Sequence, residues 1–324
     1  MTDVRCTLRA DLREALGERA VAAFSIGPDG EAVVLAVEAD ATGRVFEKVD
    51  GPGGSRFAVP RVRGGYDAWA IRHTGLAYRR RELRDVVVAF PLVQPLPDDT
   101  WLVVGARCRA GPGGALEPNA FVHGADGAPA RAFVLGDGIR DVSATRDGDL
   151  WVSYFDEGVY AGDGVTPAVG APGIVRFDTE GRVRWAFRPP PDGLSIDDCY
   201  AMNVTADAVW AYAYSDFPLV RIDGRGAVRS WPSGVEGASA IAVDGDHVVF
   251  AGGYHVAWTA LTCKALRETS LGPARGARLR SPTGDDFSPD ALRCGRGAEL
   301  HVLDRGVWSS VRVADIAAAA REGF

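Results

Sequence analysis

One unit recurs six times along the 324 residues: an apolar run, a turn carrying Asp-Gly, Pro-Asp or Gly, and a second apolar run. It reads AVAAFSIGPDGEAVVLAVE at 20–38, DVVVAFPLVQPLPDDTWLVVGAR at 85–107 and DVSATRDGDLWVSYFD at 141–156. It returns as DCYAMNVTADAVWAYAYSD at 198–216, ASAIAVDGDHVVFAGG at 238–253 and DALRCGRGAELHVLD at 290–304. The turns have hairpin chemistry, and the nearly continuous apolar runs predict strands buried on both faces. A second unit follows the first: DAWAIRHTGLAYRRREL (67–83), AFVHGADGAPARAFVL (120–135), GIVRFDTEGRVRWAFRP (173–189), PLVRIDGRGAVRSWP (218–232) and, more weakly, VAWTALTCKALRETSL (256–271). The first four are each a strand, a Gly-bearing turn and a more polar, Arg-rich strand. The polarity rises as it should from the inside of a sheet to its edge.

Four antiparallel strands repeated every 54 or so residues describe an all-β chain, a β-propeller of six four-stranded blades, seven being the neighbouring count. A double β-sandwich fits the regular turn spacing less well. The expected blades are 20–83, 85–136, 139–189, 196–232, 238–272 and 288–316, within one domain spanning 1–324. The last lacks an outer strand. The alternating segment DVRCTLR at 3–9 is predicted to supply it and close the ring, which removes an exposed edge. Short helices are expected at 11–19 and 314–322.

Composition narrows the function classes. No apolar run is long enough to cross a membrane, and the charged start lacks a signal-peptide core, so the expected location is the cytoplasm, with no membrane partner. Five scattered cysteines with no C-x-x-C suggest reduced thiols. Cys199, in IDDCYAMN, reads as a packed thiol, because its acidic neighbours disfavour a thiolate. Asn203-Val-Thr205 matches a glycosylation pattern but falls inside a predicted buried strand. A net charge of −7 argues against nucleic acid. Eight Arg crowd 56–84 against Asp67 and Glu82, a pattern that suits an outer-strand edge or an anionic partner. GPGGS (51–55) and GPGGA (111–115) are turns with no helix to follow, and no Walker loop or G-x-S-x-G is present, so no nucleotide cofactor is expected.

The long insertions, 39–65, 109–118 and 157–172, all fall between second and third strands. They share one face with the starts of the inner strands, and long loops on a rigid scaffold are where sites lie. Four aspartates, Asp85, Asp141, Asp198 and Asp290, are expected to begin inner strands at that mouth. Converging carboxylates need a cation, a shared proton or donors. One divalent ion, Ca²⁺ or Mg²⁺, would satisfy them. Alternatively, each Asp bonds the backbone of its own loop. Asp156, Glu157 and His255 are the candidate proton-moving residues. Arg61 and Arg63 in the longest insertion, with Tyr160, Asp216 and Tyr254, are the candidate substrate contacts. His73, His123 and His301 lie within strands and read as structural, as do Trp101, Trp151 and Trp210, and Tyr154, Tyr212 and Tyr214.

The blade rhythm resembles propellers of the gluconolactonase, streptogramin-lyase and NHL-repeat groups. LWVSYFDEGVY, DCYAMNV and DFPLVRI resemble a group of bacterial propellers with no assigned activity. The gluconolactonase resemblance implies a metal in the central channel. The function expected is binding of a small polar molecule at the loop-bearing mouth of a monomer, with metal-assisted hydrolase or lyase chemistry. The alternative is a non-catalytic scaffold that docks a protein partner at the rim.

Overall fold

The computed structural model describes residues 2–111, 114–162, 168–191 and 193–322. Apart from one two-stranded hairpin, the strands of the described residues fall into six sheets, visited in chain order save for two N-terminal strands, and these are the blades of a β-propeller. The all-β class and the six-blade count expected from the repeat are therefore met. Contact density divides the chain into two compact units, Arg13–Arg188 with blades one to three, and Met1–Leu12 with Pro189–Phe324 carrying blades four to six.

In the first unit, blade one is Ala20–Ile26, Ala32–Val37, Arg61–His73 and Tyr78–Val88. Blade two is Pro91–Leu96, Thr100–Gly105, Ala120–His123 and Pro129–Phe133. Blade three is Ile139–Ala144, Leu150–Tyr154, Ile174–Phe177 and Val183–Ala186. In the second unit, blade four is Asp198–Val204, Ala208–Tyr214, Pro218–Asp223 and Val228–Pro232. Blade five is Ala240–Val243, His247–Gly253, Val256–Ala265 and Arg275–Arg280. Blade six is Leu292–Arg296, Glu299–Asp304 and Val307–Arg312, completed by the N-terminal strand Thr7–Asp11. The N-terminal segment does more than expected: Thr2–Arg5 forms a separate strand, parallel to Arg275–Arg280, on the edge of blade five. The helix Val313–Glu322 buries Val313, Ile316 and Ala317 in the core shared by blades five and six.

The second strands show why the apolar runs are continuous. Every residue of Ala32–Val37 is buried, and Val33, Leu35 and Val37 lie in the core that blade one shares with Val93, Trp101 and Val103 of blade two. On the first strands, polar side chains tie neighbouring blades together. Ser25 donates to the Val93 carbonyl (2.7 Å), Gln94 Oε1 accepts from the Ala144 N–H (3.1 Å), and Asn203 Nδ2 donates to the Ile241 carbonyl (2.8 Å). Gly295 makes the last approach possible, since a Cβ there would overlap the Ile241 carbonyl.

Trp101 and Trp210 lie in cores that span blades one and two and blades four and five, and two of the recurring tryptophans also meet a second ring within their own blade. Trp151 meets Trp185 (5.5 Å between ring centroids) and Trp210 meets Trp231 (5.7 Å). An arginine on the third strand lies over each inner ring, Arg176 over Trp151 and Arg221 over Trp210, and the turn carboxylates Asp149 and Asp207 pair with those arginines.

The second-to-third connections split by unit. They run over 38–60, 106–119 and 155–173 in blades one to three, but only 215–217, 254–255 and 305–306 in blades four to six. The first of the long ones carries its own hairpin, Lys48–Asp50 with Arg56–Ala58.

Candidate functional site

In the first unit the expected residues are placed apart or are already engaged. Asp85 does not begin an inner strand. The outer strand Tyr78–Val88 runs on past it, and Asp85 sits there exposed, with a left-handed backbone (φ 55°) and its N–H on Asp67 (3.2 Å). Asp141 is the third residue of the inner strand of blade three, next to a bulge and opposite Ser153. Asp156 and Glu157 open a short helix, Asp156–Val159, rather than ending the strand before it. Asp156 accepts the Glu157 N–H (2.7 Å), while Glu157 pairs with Arg107, whose guanidinium also grips Asp137 (3.0 and 2.9 Å). Tyr160, at the end of that helix, is 67 % exposed. Arg61 and Arg63 belong to the long third strand of blade one, not to the insertion. Arg61 donates to the Pro118 carbonyl (2.8 Å) and pairs with Glu117 (3.4 Å); Arg63 is exposed.

The second unit brings its expected residues closer together. Asp198 opens the inner strand of blade four and lies opposite Tyr214 in register. Tyr214, Ser215 and Asp216 lead into Phe217, a buried ring held at φ 52°. Tyr214, Tyr212 and Tyr254 all pack against Phe217, with centroids 5.6, 5.3 and 5.6 Å away. Tyr200 completes the group: its ring meets Phe217 (5.2 Å), and its hydroxyl lies 2.7 Å from that of Tyr254. Tyr254 belongs to the turn 254–255 of blade five, followed by exposed His255 at φ 63°, the two rings 6.4 Å apart. Tyr214 and Tyr254 remain 46 % and 45 % exposed.

The framework beneath these rings is rigid. Tyr212 is buried and donates to the Val235 carbonyl (2.6 Å), and burial raises its phenol pKa. Tyr154 makes the same kind of bond to Leu135 in blade three, so both are structural as expected, whereas exposed Tyr214 is not. Gly237, at φ 72°, lies against the face of Tyr254, where any Cβ would strike the ring. Tyr200 and Phe217 were not among the expected site residues. Their signal is the exposed ring-bearing stretch Tyr214–Phe217 facing Tyr254 across a blade boundary, which only pairing of blades reveals.

The remaining aspartates divide between loop bonding and open placement. Asp290 lies in the turn before blade six, one residue short of Ala291 and exposed, not at a strand start. Asp304 accepts from the Ser288 N–H (3.0 Å) and hydroxyl, and thus ties down a loop. Among the described residues no three His, Cys, Asp or Glu side chains come together as a metal ion would need. Cys199 is buried with its thiol 3.5 Å from the Ala201 carbonyl. Burial raises the thiols of Cys6, Cys108 and Cys263 to about 12, 11 and 11, away from nucleophilic form.

Six all-β blades, with half-exposed aromatic rings beside the second-to-third-strand connections of blades four and five, define the class: a β-propeller. A model of the YxzG family matches residues 189–270, the stretch that holds blade four and most of blade five. No curated protein matches the chain. Solved structures similar to it include a catalytically inactive virginiamycin B lyase from Staphylococcus aureus with quinupristin, 11 % identical, covering 90 % of this chain and 94 % of that one, TM-score 0.42. The PQQ-bound aldose sugar dehydrogenase from Streptomyces coelicolor is 12 % identical over 95 % and 97 %, TM-score 0.45. Hsv2 from Kluyveromyces lactis is 10 % identical over 94 % and 77 %, TM-score 0.48. The resemblance to lyase-type propellers lies in the fold and assigns no activity. Among the described residues no helix is long and apolar enough to cross a membrane.

Proposed function

We propose that the protein binds a small polar ligand at the aromatic cluster of blades four and five. The observation that carries this reading is the pair of phenol hydroxyls of Tyr200 and Tyr254, 2.7 Å apart on a rigidly backed ring cluster at the protein surface. A half-exposed phenol offers an apolar face for stacking and a polar tip for hydrogen bonding. Asp216, exposed in the turn that leads into Phe217, accepts hydrogen bonds when ionised, which favours a ligand with O–H or N–H donors. Hydrolase or lyase chemistry at this place would fall to His255 as the base, being the one expected proton carrier beside the rings. No step is routed through a divalent cation, because the side chains here do not form a ligand set.

The reading is tested by a thermal-shift screen of sugars, polyols and short peptides against the protein and Tyr254→Ala. Compounds that raise the melting temperature of the parent should give no shift with the variant. Equal protection of both, or protection by none of the compounds, overturns it.

A docking scaffold is the second reading. It is favoured by the hairpin of blade one, where Val49 and Phe57 pair across strands at 48 % and 40 % exposure near Phe46.

A further inference from the structure

The other end of the second unit carries a cleft of about 670 Å³, walled by the first-to-second-strand turns of blades four, five and six and by the connection at Leu266–Glu268. Its size is that of a small-molecule site. We propose that it binds a small organic anion, a phosphate or carboxylate on an apolar body, through Arg229 and Arg267.

The pairing of the charged lining residues points this way. Asp207 is engaged by the Thr205 hydroxyl (2.8 Å) and by Arg221 (2.9 Å). Asp244 accepts the N–H groups of Asp246 (3.0 Å) and His247 (2.8 Å). Arg221 is thereby paired with Asp207, while Asp244 is turned to its own loop and Glu268 is exposed to solvent. Among the described residues neither Arg229 nor Arg267 is ion-paired with a carboxylate. Blade three makes the contrast plain. There the arginines of the outer hairpin, Arg182 and Arg184, both pair with Asp178 (2.7 and 3.1 Å). In blade four the matching Asp223 makes the same two backbone bonds (Arg225 and Ala227, 2.9 Å each) that Asp178 makes to Glu180 and Arg182, but among the described residues it has no arginine ion pair, and Arg229 lies instead over the ring of Trp231 (6.0 Å).

The site is also prearranged. The Trp231 indole N–H donates to the Arg267 carbonyl (2.9 Å), so the ring beneath one guanidinium anchors the main chain of the other. Val243 and Leu266 supply apolar wall. A guanidinium presents parallel N–H donors that match the two oxygens of a carboxylate or phosphate, and such bonds are the strong ones.

The test is titration of the full chain at low ionic strength with inorganic phosphate, ribose phosphate, adenosine monophosphate and benzoate, read by calorimetry and tryptophan fluorescence. At least one organic anion should saturate and perturb the fluorescence. Arg229→Gln and Arg267→Gln should each weaken it by about tenfold or more, with melting temperatures retained, and Arg140→Gln, an exposed arginine elsewhere, should not. Response to the two organic phosphates but not benzoate assigns the headgroup as phosphate; the reverse assigns carboxylate. Saturation by none of the organic anions, inorganic phosphate binding as tightly as they do, or full binding by both Gln variants overturns the proposal. Tyr254→Ala should leave this binding unchanged, so failure here and failure at the aromatic cluster are separable.

Discussion

Asn203 is cut off from water, and its partners explain its presence in an apolar strand. Its amide donates to the carbonyls of Ile241 (2.8 Å) and Gly297 (3.0 Å), and its oxygen accepts the Gly297 N–H (2.8 Å). One side chain therefore satisfies backbone groups of both following blades. Asn203→Ala removes a donor from the buried Ile241 carbonyl, while Gly297 keeps its bonds to Val243 (3.1 Å) and Val204 (3.3 Å), and should cost about 1–3 kcal/mol in urea unfolding. A loss below about 1 kcal/mol would mean water replaces the amide. The sequence marked this position only by a glycosylation pattern inside a buried run, because one chain read alone does not show which backbone groups a neighbouring blade leaves open. The same limit hid Tyr200 and Phe217. Tyr200 looks like core within its strand and Phe217 like a turn residue before the next one, and both become part of a surface cluster only when Tyr254 of the next blade lies beside them.

At the scale of the element, strand existence and order were legible and strand ends were not. Apolar runs and Asp-Gly turns located the hairpins, since both follow from local backbone chemistry. The ends depend on pairing. Blade one's third and fourth strands run on together through bulges near Tyr66, and this carries Asp85 into an outer strand and Arg61 out of the insertion. The N-terminal segment was read as one strand and is two, because Cys6 turns the chain from the edge of blade five to that of blade six. Deleting residues 2–11 bares both edges and removes the pairing of Arg9 with Glu299. Melting should fall by roughly 10 °C or more, with self-association visible in size-exclusion chromatography. An unchanged profile would show that blades five and six stand without these strands.

At the scale of the whole molecule, the acid response follows from what the blades bury. Burial lowers the pKa of His301 to about 4 and also lowers His123 and His73, so each stays neutral inside the fold. The unfolded chain binds protons at these positions below about 6.5, where the folded chain does not. Stability should therefore fall as pH drops from about 6.5 toward 4. Carboxylates act later. Arg146 holds Asp29 below the usual range, Thr205 and Arg221 hold Asp207, and the N–H groups of Ala227 and Arg225 hold Asp223. Their contribution persists above about 3.9 and is lost as pH falls through their depressed values. Urea unfolding across this range should show His301→Gln flattening the first stage only; an unaltered slope would assign it elsewhere. The fold class was readable at this scale because six repeats repeat one set of local rules. The converging aspartates were not, because convergence needs all the strand starts in place, and two of the four candidates lie off them.

The strand Thr7–Asp11 pairs with Val307–Arg312, with nearly the whole chain between them. On a ribosome adding about 5–20 residues per second, the earlier strand waits some tens of seconds for its partner to be made. Throughout that interval the first unit, encoded between the two, can fold while the second holds an unmatched strand. The protein is thus completed in a different order from the one in which it is written.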